Sequence, residues 1–256
     1  MTTEKKKTII DEIFNVKNTD LYRAVNDLID EGNPNGTYYT LLIISSIIIA
    51  AGNLLANSAI LIGGMLVTPV LTPVLIIALA ITVGKPNLLR RTAVLIAKSV
   101  GIIMGVSLIA GLLFPVLNNA AFFDVPLFND SLQAGFLYFI VAFMSGLAAT
   151  LSWVRKNEAH ILPGISIAVS LVPPVSLSAI LLASGNFVEM RFFMLIFLFN
   201  IVGVIMGSLI VFSLLKVYRS GAMITKKVDT LIAEEEQRKK EKAIEKAANT
   251  ITESQE

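Results

Sequence analysis

Cysteine is absent from the chain and histidine occurs once, at His160. The first absence excludes structural disulfides and thiolate metal sites, and the second leaves no histidine cluster for zinc or haem. Charge is scarce too: 16% of residues are Asp, Glu, Lys or Arg, where a soluble domain carries about 25%. From Gly32 to Gly84 there is no charged side chain at all. A single helix over that stretch, at about 1.5 Å per residue, would be roughly twice as long as a bilayer core is thick. The segment therefore crosses at least twice, or crosses once and partly returns. A formal net charge of +2 is too small to point to nucleic acid, and the polar first 35 residues give no reason to expect a cleavable signal peptide.

What is abundant is apolar: 55% of the chain. Runs of spanning length fall at 37–52, 62–83, 92–114, 133–154, 161–184 and 192–215, and the expected class is an all-α polytopic membrane protein of six transmembrane helices. Lys98 is the one charge inside any of these runs. The turn at 85–91 carries Lys85, Arg90 and Arg91 and that at 155–160 carries Arg155 and Lys156, whereas 116–132 has Asp124 and Asp130 and no Lys or Arg. Both termini in the cytoplasm place these basic turns beside the basic flanks at Lys5–Lys7 and Lys216–Lys227, which predicts a multi-pass protein of the cell (plasma) membrane. Arg191 alone falls near the other face. Five spans with 53–68 re-entrant is the alternative.

The chain divides into a cytoplasmic N-terminal segment at 1–35, a first three-helix membrane unit at 36–115, an extracytoplasmic loop at 116–132, a second three-helix unit at 133–215 and a charged cytoplasmic tail at 216–256. In the first segment Ile9, Ile10, Ile13, Leu21, Val25 and Leu28 recur at roughly helical spacing, which predicts an amphipathic helix on the membrane surface or against the spans. The tail at 229–247 pairs opposite charges such as Glu234 and Arg238; it reads as a solvated helix, with a partner-binding coiled coil as the alternative.

The two units are expected to be repeats. A shift of 101 aligns Gly63 with Gly164, Pro73 with Pro174, Ala78 with Ala179, Gly84 with Gly185 and Arg90 with Arg191, and "VGIIMGVSLIA" at 100–110 matches "VGVIMGSLIV" at 202–211 with a one-residue slip. Three spans per unit is an odd number, so the second would enter the membrane from the opposite side, giving inverted repeats with proline-broken second helices. Chance likeness between apolar helices is the competing explanation. Prolines interrupt both second helices, Pro69 and Pro73 in one and Pro173 and Pro174 in the other. Each removes a backbone donor, so carbonyls one turn back need new partners, which in hydrocarbon must be protein, water or a solute.

Polar groups keep these prolines company. Thr68 and Thr72 flank the first pair, Ser170 and Ser176 the second, and Asn53, Asn57 and Ser58 precede the first. With Lys98 they are candidates to line a polar, solute-binding cleft between the units. Simple kinks are the alternative for the prolines, and snorkelling to the interface is the alternative for Lys98. Oxygen-rich breaks suit a sodium ion held by carbonyls and the hydroxyls of Thr68, Thr72 or Ser176; half-helix N-termini with Lys98 suit an anion.

At "NSAILIGGMLVTPVLTPV" (57–74), "GKPNLLRR" (84–91) and "LPGISIAVSLVPPVSLSAI" (162–180) the chain resembles the bacterial and archaeal membrane family catalogued as domain of unknown function 389. The resemblance covers about 36–215. It rests on Asn57, Ser58, Ala59, Gly64, Met65, Thr68, Pro69 and Pro73, then Leu162, Pro163, Gly164, Ala168, Leu171, Val172, Pro173 and Pro174. Thr68 stands where the family usually has serine, and Thr72 with Pro73 where it usually has glycine-proline. The resemblance implies the topology and no substrate.

The expected function is therefore a transporter or channel for a small solute or ion, an anion or one coupled to sodium, working by alternating access between the repeats. The alternative is a membrane scaffold or regulator acting through its cytoplasmic tail. An enzyme is not expected, because no acidic residue lies in a span and His160 lies at a turn. No cofactor or metal is expected; the partners are the lipid bilayer and the solute, with a homo-oligomer left open.

Overall fold

A computed structural model describes residues 18–118 except 33, 132–155, 164–165 and 169–220, with single residues at 230, 233 and 237. Every regular element among them is helical: α1 (Asn18–Glu31), α2 (Gly36–Leu54), α3 (Ser58–Val67), α4 (Leu71–Val83), α5 (Pro86–Asn118), α6 (Leu132–Val154), α7 (Val172–Ala183), α8 (Phe187–Leu214) and a 3₁₀ turn (Val217–Ser220). Residues Ile9, Ile10 and Ile13, the loop at 119–131, His160 and nearly all of the charged tail lie outside the described residues.

Local chemistry sets these boundaries. The Asn35 side-chain Oδ1 accepts from the Tyr38 N–H at 2.8 Å and starts α2, and the Asn57 Oδ1 accepts from Ala59 and Ile60 at 3.0 and 3.3 Å and starts α3, each satisfying donors that a first helical turn leaves free. Gly84 and Gly185 end α4 and the α7 segment in left-handed conformations, φ 68° and 76°. The bonds around them are the same bonds shifted by 101 residues: the Gly84 and Lys85 N–H groups donate to Ile81 and Ala80, and those of Gly185 and Asn186 to Leu182 and Leu181. Such a turn closes the open carbonyls of the last helical turn. Pro86 then begins α5, where its missing donor costs nothing, and Asn186 caps α8 by accepting from Glu189.

Among the described residues, four helices are long and apolar enough to cross a bilayer: Gly36–Leu54, the Pro86–Phe114 part of α5, the Gly135–Val154 part of α6, and α8. The pair α3 and α4, bent by 53° at residues 68–70, is a fifth when taken as one span. The expected second span at 62–83 is thus two helices. Of the expected fifth run, 161–184, the described helix is the 12-residue α7.

The packing is apolar on the outside as well as in the core. α4 and α7 occupy the centre: Leu71, Pro73 to Ile76 and Ala78 to Ala80 are buried along α4, and Val172, Val175 and Ala179 to Leu181 along α7. The longer helices carry large apolar side chains outward, among them Ile47 on α2, Ile109 on α5, Phe136 on α6 and Leu195 on α8. An exposed apolar belt of this extent is unfavourable in water and matched by lipid. The protein is membrane-embedded.

α2 and α3 form a tight antiparallel pair, with Gly52 against Leu61 and Gly64 against Ile49, whereas Gly63 and Gly164 touch nothing. α4 then packs on α5 and α8, and α7 on α8 and α5. α6 lies along α8 at backbone contact: Gly203 faces the Phe139 and Phe143 main chain, Gly207 that of Phe143 and Leu147, and Gly146 that of Val204. α1 buries Leu21, Ala24, Val25, Leu28 and Ile29 against α4 and α6, and the Trp153 indole donates to the Ala24 carbonyl at 2.9 Å. Of the two placements expected for this amphipathic helix, docking against the spans is the one observed. At its end the Glu31 carboxyl is raised above the ordinary range by burial and by Asp27 nearby.

Candidate functional site

The break between α3 and α4 and the segment leading into α7 lie against one another. Met65, Thr68, Val70 and Leu71 from the first and Val169, Leu171 and Val172 from the second line one small cleft, and the Ser170 hydroxyl lies 3.9 Å from the Met65 sulfur. The space open to the centre of a water molecule is about 20 Å³, where one water needs roughly 10–15 Å³.

The prolines do not bend continuous helices; they begin new ones. Pro73 is the third residue of α4, and Pro173 and Pro174 are the second and third of α7, positions whose N–H groups have no helical acceptor in any case. What they interrupt is the preceding segment, and its carbonyls are accounted for locally. In the first break the Thr68 N–H turns to Met65 O at 3.3 Å, and the Thr68 hydroxyl covers the Gly64 carbonyl at 2.9 Å.

In the second break, an N–H at 173 or 174 would have served Val169 O and Ser170 O. Instead the Asn200 side-chain Nδ2 donates to both, at 3.0 and 3.4 Å. Asn200 projects from the middle of α8 and is 2% exposed. Ser170 has φ 44°, a left-handed conformation that costs a non-glycine residue about 1–2 kcal/mol.

A second polar cluster adjoins the first turn of α7. Asn53 of α2 donates through Nδ2 to the Pro173 carbonyl at 3.4 Å and to the Ser176 hydroxyl at 3.1 Å. The Ser107 hydroxyl of α5 also donates to Ser176, at 2.8 Å. Three helices from both halves thus meet at one fully buried hydroxyl. Amides and hydroxyls are the groups that hold helices together in lipid without the desolvation cost of charge.

The family model described as "Domain of unknown function (DUF389)" matches residues 65–206, more than half of the chain and both breaks. The chain belongs to the DUF389 family. Among curated proteins it is 32% identical over 196 residues to the uncharacterized protein MJ0678 of Methanocaldococcus jannaschii, a match that covers 76% of this chain and 58% of that relative. The chain thus spans under two thirds of that relative's length. No solved structure matches.

The expected site residues separate into two groups. Asn53, Thr68, Pro69, Ser170, Pro173, Pro174 and Ser176 lie in or beside the breaks, and Pro73 is buried and Thr72 half-buried in the first turn of α4. Asn57 and Ser58 are exposed at the start of α3, where Asn57 is a helix cap. Lys98 is exposed on the outward face of α5, whose buried face carries Leu95, Ser99 and Ile103; it is not among the residues lining the cleft. Asn200 and Ser107 were not expected. An amide in the middle of the run at 192–215 was the available signal for Asn200.

Proposed function

We propose that the protein is a multi-pass transporter or channel of the plasma membrane for a small solute or ion, and that its site lies between the two breaks. The carrying observation is that the two interrupted segments, one from each half of the chain, line the same cleft. In this reading α3 and α4 form one crossing, since a 53° bend is far short of the reversal a re-entrant loop needs, and α7 with the residues before it forms another. Six crossings in two inverted three-helix units result. The packing supports an exchangeable pair, because each unit's short central helix lies on the other unit's last helix, α4 on α8 and α7 on α5. Alternating access would then exchange the environments of the two breaks. Both termini are cytoplasmic in this arrangement, and no enzymatic step is part of it.

Locking the breaks together tests this reading. The chain has no native cysteine, and Met65 touches Ser170, so the pair Met65→Cys and Ser170→Cys accepts a short thiol cross-linker. A panel of labelled cations, anions and neutral metabolites in proteoliposomes identifies the transported class. Cross-linking is expected to remove at least 90% of that uptake, by analogy with the effect of immobilising any gate that must move on each cycle (about a tenfold loss), and cleaving the linker to restore it. Undiminished uptake by the locked protein places the path elsewhere.

Topology has its own test. Single cysteines at Asn119 and Lys5 should differ in intact cells, with Asn119 labelled by an impermeant thiol reagent and Lys5 protected. Equal labelling refutes an odd number of crossings between them.

The smallness of the cleft favours the second reading, a membrane scaffold acting through its tail. No uptake of any solute in the panel, together with retained in vivo function of the cross-linked protein, selects it.

A further inference from the structure

We propose that the second break is a monovalent-cation site in which the Asn200 amide nitrogen stands where the ion binds. The inference rests on the transport reading only in making the ion a coupling ion; the site itself needs no transported solute. Three observations carry it.

First, two main-chain carbonyls converge. Val169 O and Ser170 O both lie within 3.4 Å of one nitrogen, held there by a backbone that adopts φ 44° at Ser170. A pair of oxygens aimed at one point is half of an alkali-ion shell, and a primary amide presenting two N–H groups is the protein's own substitute for that ion.

Second, the site repels anions. A helix start ordinarily offers up to four free N–H groups, but two of the first three residues of α7 are prolines, which have none. The break therefore keeps its converging carbonyls while two of the N–H groups that would favour an anion are missing.

Third, the described residues that line the adjoining cleft are all neutral. The cleft is lined by Thr68 and apolar residues, and no acidic side chain is among them. Divalent ions are usually bound with carboxylate help, and an alkali ion is the class that carbonyls, an amide oxygen and a hydroxyl hold by themselves. Rotating the Asn200 amide by 180° exchanges Nδ2 for Oδ1, so the same side chain that caps the empty site becomes a third oxygen ligand. Val169 also lines the neighbouring cleft that Thr68 borders, whose volume admits a water. The occupied site would free Asn200 from its bonds to the segment before α7 and tie the ion to α8 and α7 together, which is a means for ion occupancy to bias the movement of one half against the other.

The test uses the purified full-length protein in detergent at constant ionic strength, with sodium, lithium, potassium or choline chloride. Thermal unfolding should rise with at least one alkali ion and not with choline, and radioactive sodium should bind and be displaced by unlabelled sodium. Asn200→Asp adds a charge to the neutral shell and should lower the half-saturating concentration roughly tenfold, since ligand charge count sets cation affinity. Asn200→Ser, which keeps a small polar group, should weaken it by a similar factor. Absence of any alkali-specific shift and of sodium binding in both wild type and Asn200→Asp overturns the proposal. So does an alkali response that Asn200→Asp and Asn200→Ser leave unchanged, which would put the ion elsewhere. Ion binding without uptake of any solute would sink the transport reading and leave the site; uptake that ignores every alkali ion, with sodium binding retained, would sink the coupling role and leave both the site and transport.

Discussion

Replacing Asn200 by leucine should abolish recovery of folded protein, and restoring two backbone N–H groups should bring it back. The leucine fills the volume but removes the Nδ2 donor that serves the buried Val169 O and the part-buried Ser170 O. Each such acceptor costs about 1–3 kcal/mol, against a total stability of roughly 5–15 kcal/mol for a typical fold. In the triple variant Asn200→Leu, Pro173→Ala, Pro174→Ala, the alanines supply the N–H groups that a continuous helix would direct at those carbonyls. Stability, read as monodisperse yield and unfolding temperature in detergent, should return to near the wild-type level. Solute recognition and any alkali-ion response should not, because the converging carbonyls are then consumed by the helix. A triple variant no more stable than Asn200→Leu would mean that Asn200 serves some other purpose.

Gly207→Leu is expected to be as damaging, by a different route. A Cβ at Gly207 collides with the Phe143 carbonyl, and at Gly203 it lies 2.9 Å from the Phe139 carbonyl; both obstacles are main chain and cannot rotate away. α6 and α8 would have to part along their whole contact, losing the Ser208 hydroxyl bond to Gly146 O as well. Overpacking of a tight core costs typically about 1–3 kcal/mol and sometimes more, and a leucine here exceeds a methyl group by far. The related glycines of the first unit, Gly101 and Gly105, provide the control, since nothing lies within 4 Å of either. Gly101→Ala and Gly105→Ala should leave the unfolding temperature unchanged or raise it slightly through helix propensity, at most about 1 kcal/mol each. Loss of folded protein in those controls would show that the free face of α5 is covered in the native assembly.

Much of this layout can be read from residue order. Helix boundaries follow from signals within a few residues: Asn35, Asn57 and Asn186 as caps, Gly84 and Gly185 as left-handed stops, Pro86 as a start. The sequence match at a shift of 101 residues pairs Gly84 with Gly185, and both end in left-handed turns whose N–H groups have corresponding acceptors. The prolines mark interruptions, though not that Pro73, Pro173 and Pro174 sit in new first turns.

What stayed hidden depends on rotation and distance. Lys98 faces outward because α5 turns Leu95, Ser99 and Ile103 inward, and an apolar helix in lipid has too little amphipathic contrast to announce its facing. Asn200 lies about thirty residues from the carbonyls it serves, and only the packing of α8 against the segment before α7 joins them. Asn57 was legible as a cap all along, but its neighbourhood to the prolines in sequence argued for the cleft.

The N-terminal helix has a mechanical consequence. α1 precedes the first half in the chain, yet it is fastened to both halves, by the Trp153 indole bond to Ala24 O on α6 and by Gly32 pressed on Ile76 of α4. It therefore acts as a clasp across the end of the bundle where Trp153 lies. Parting α4 from α6 at that end would have to break the indole hydrogen bond, unseat Gly32 from Ile76 and expose the apolar face of α1, so the helix ties the two along its whole buried side.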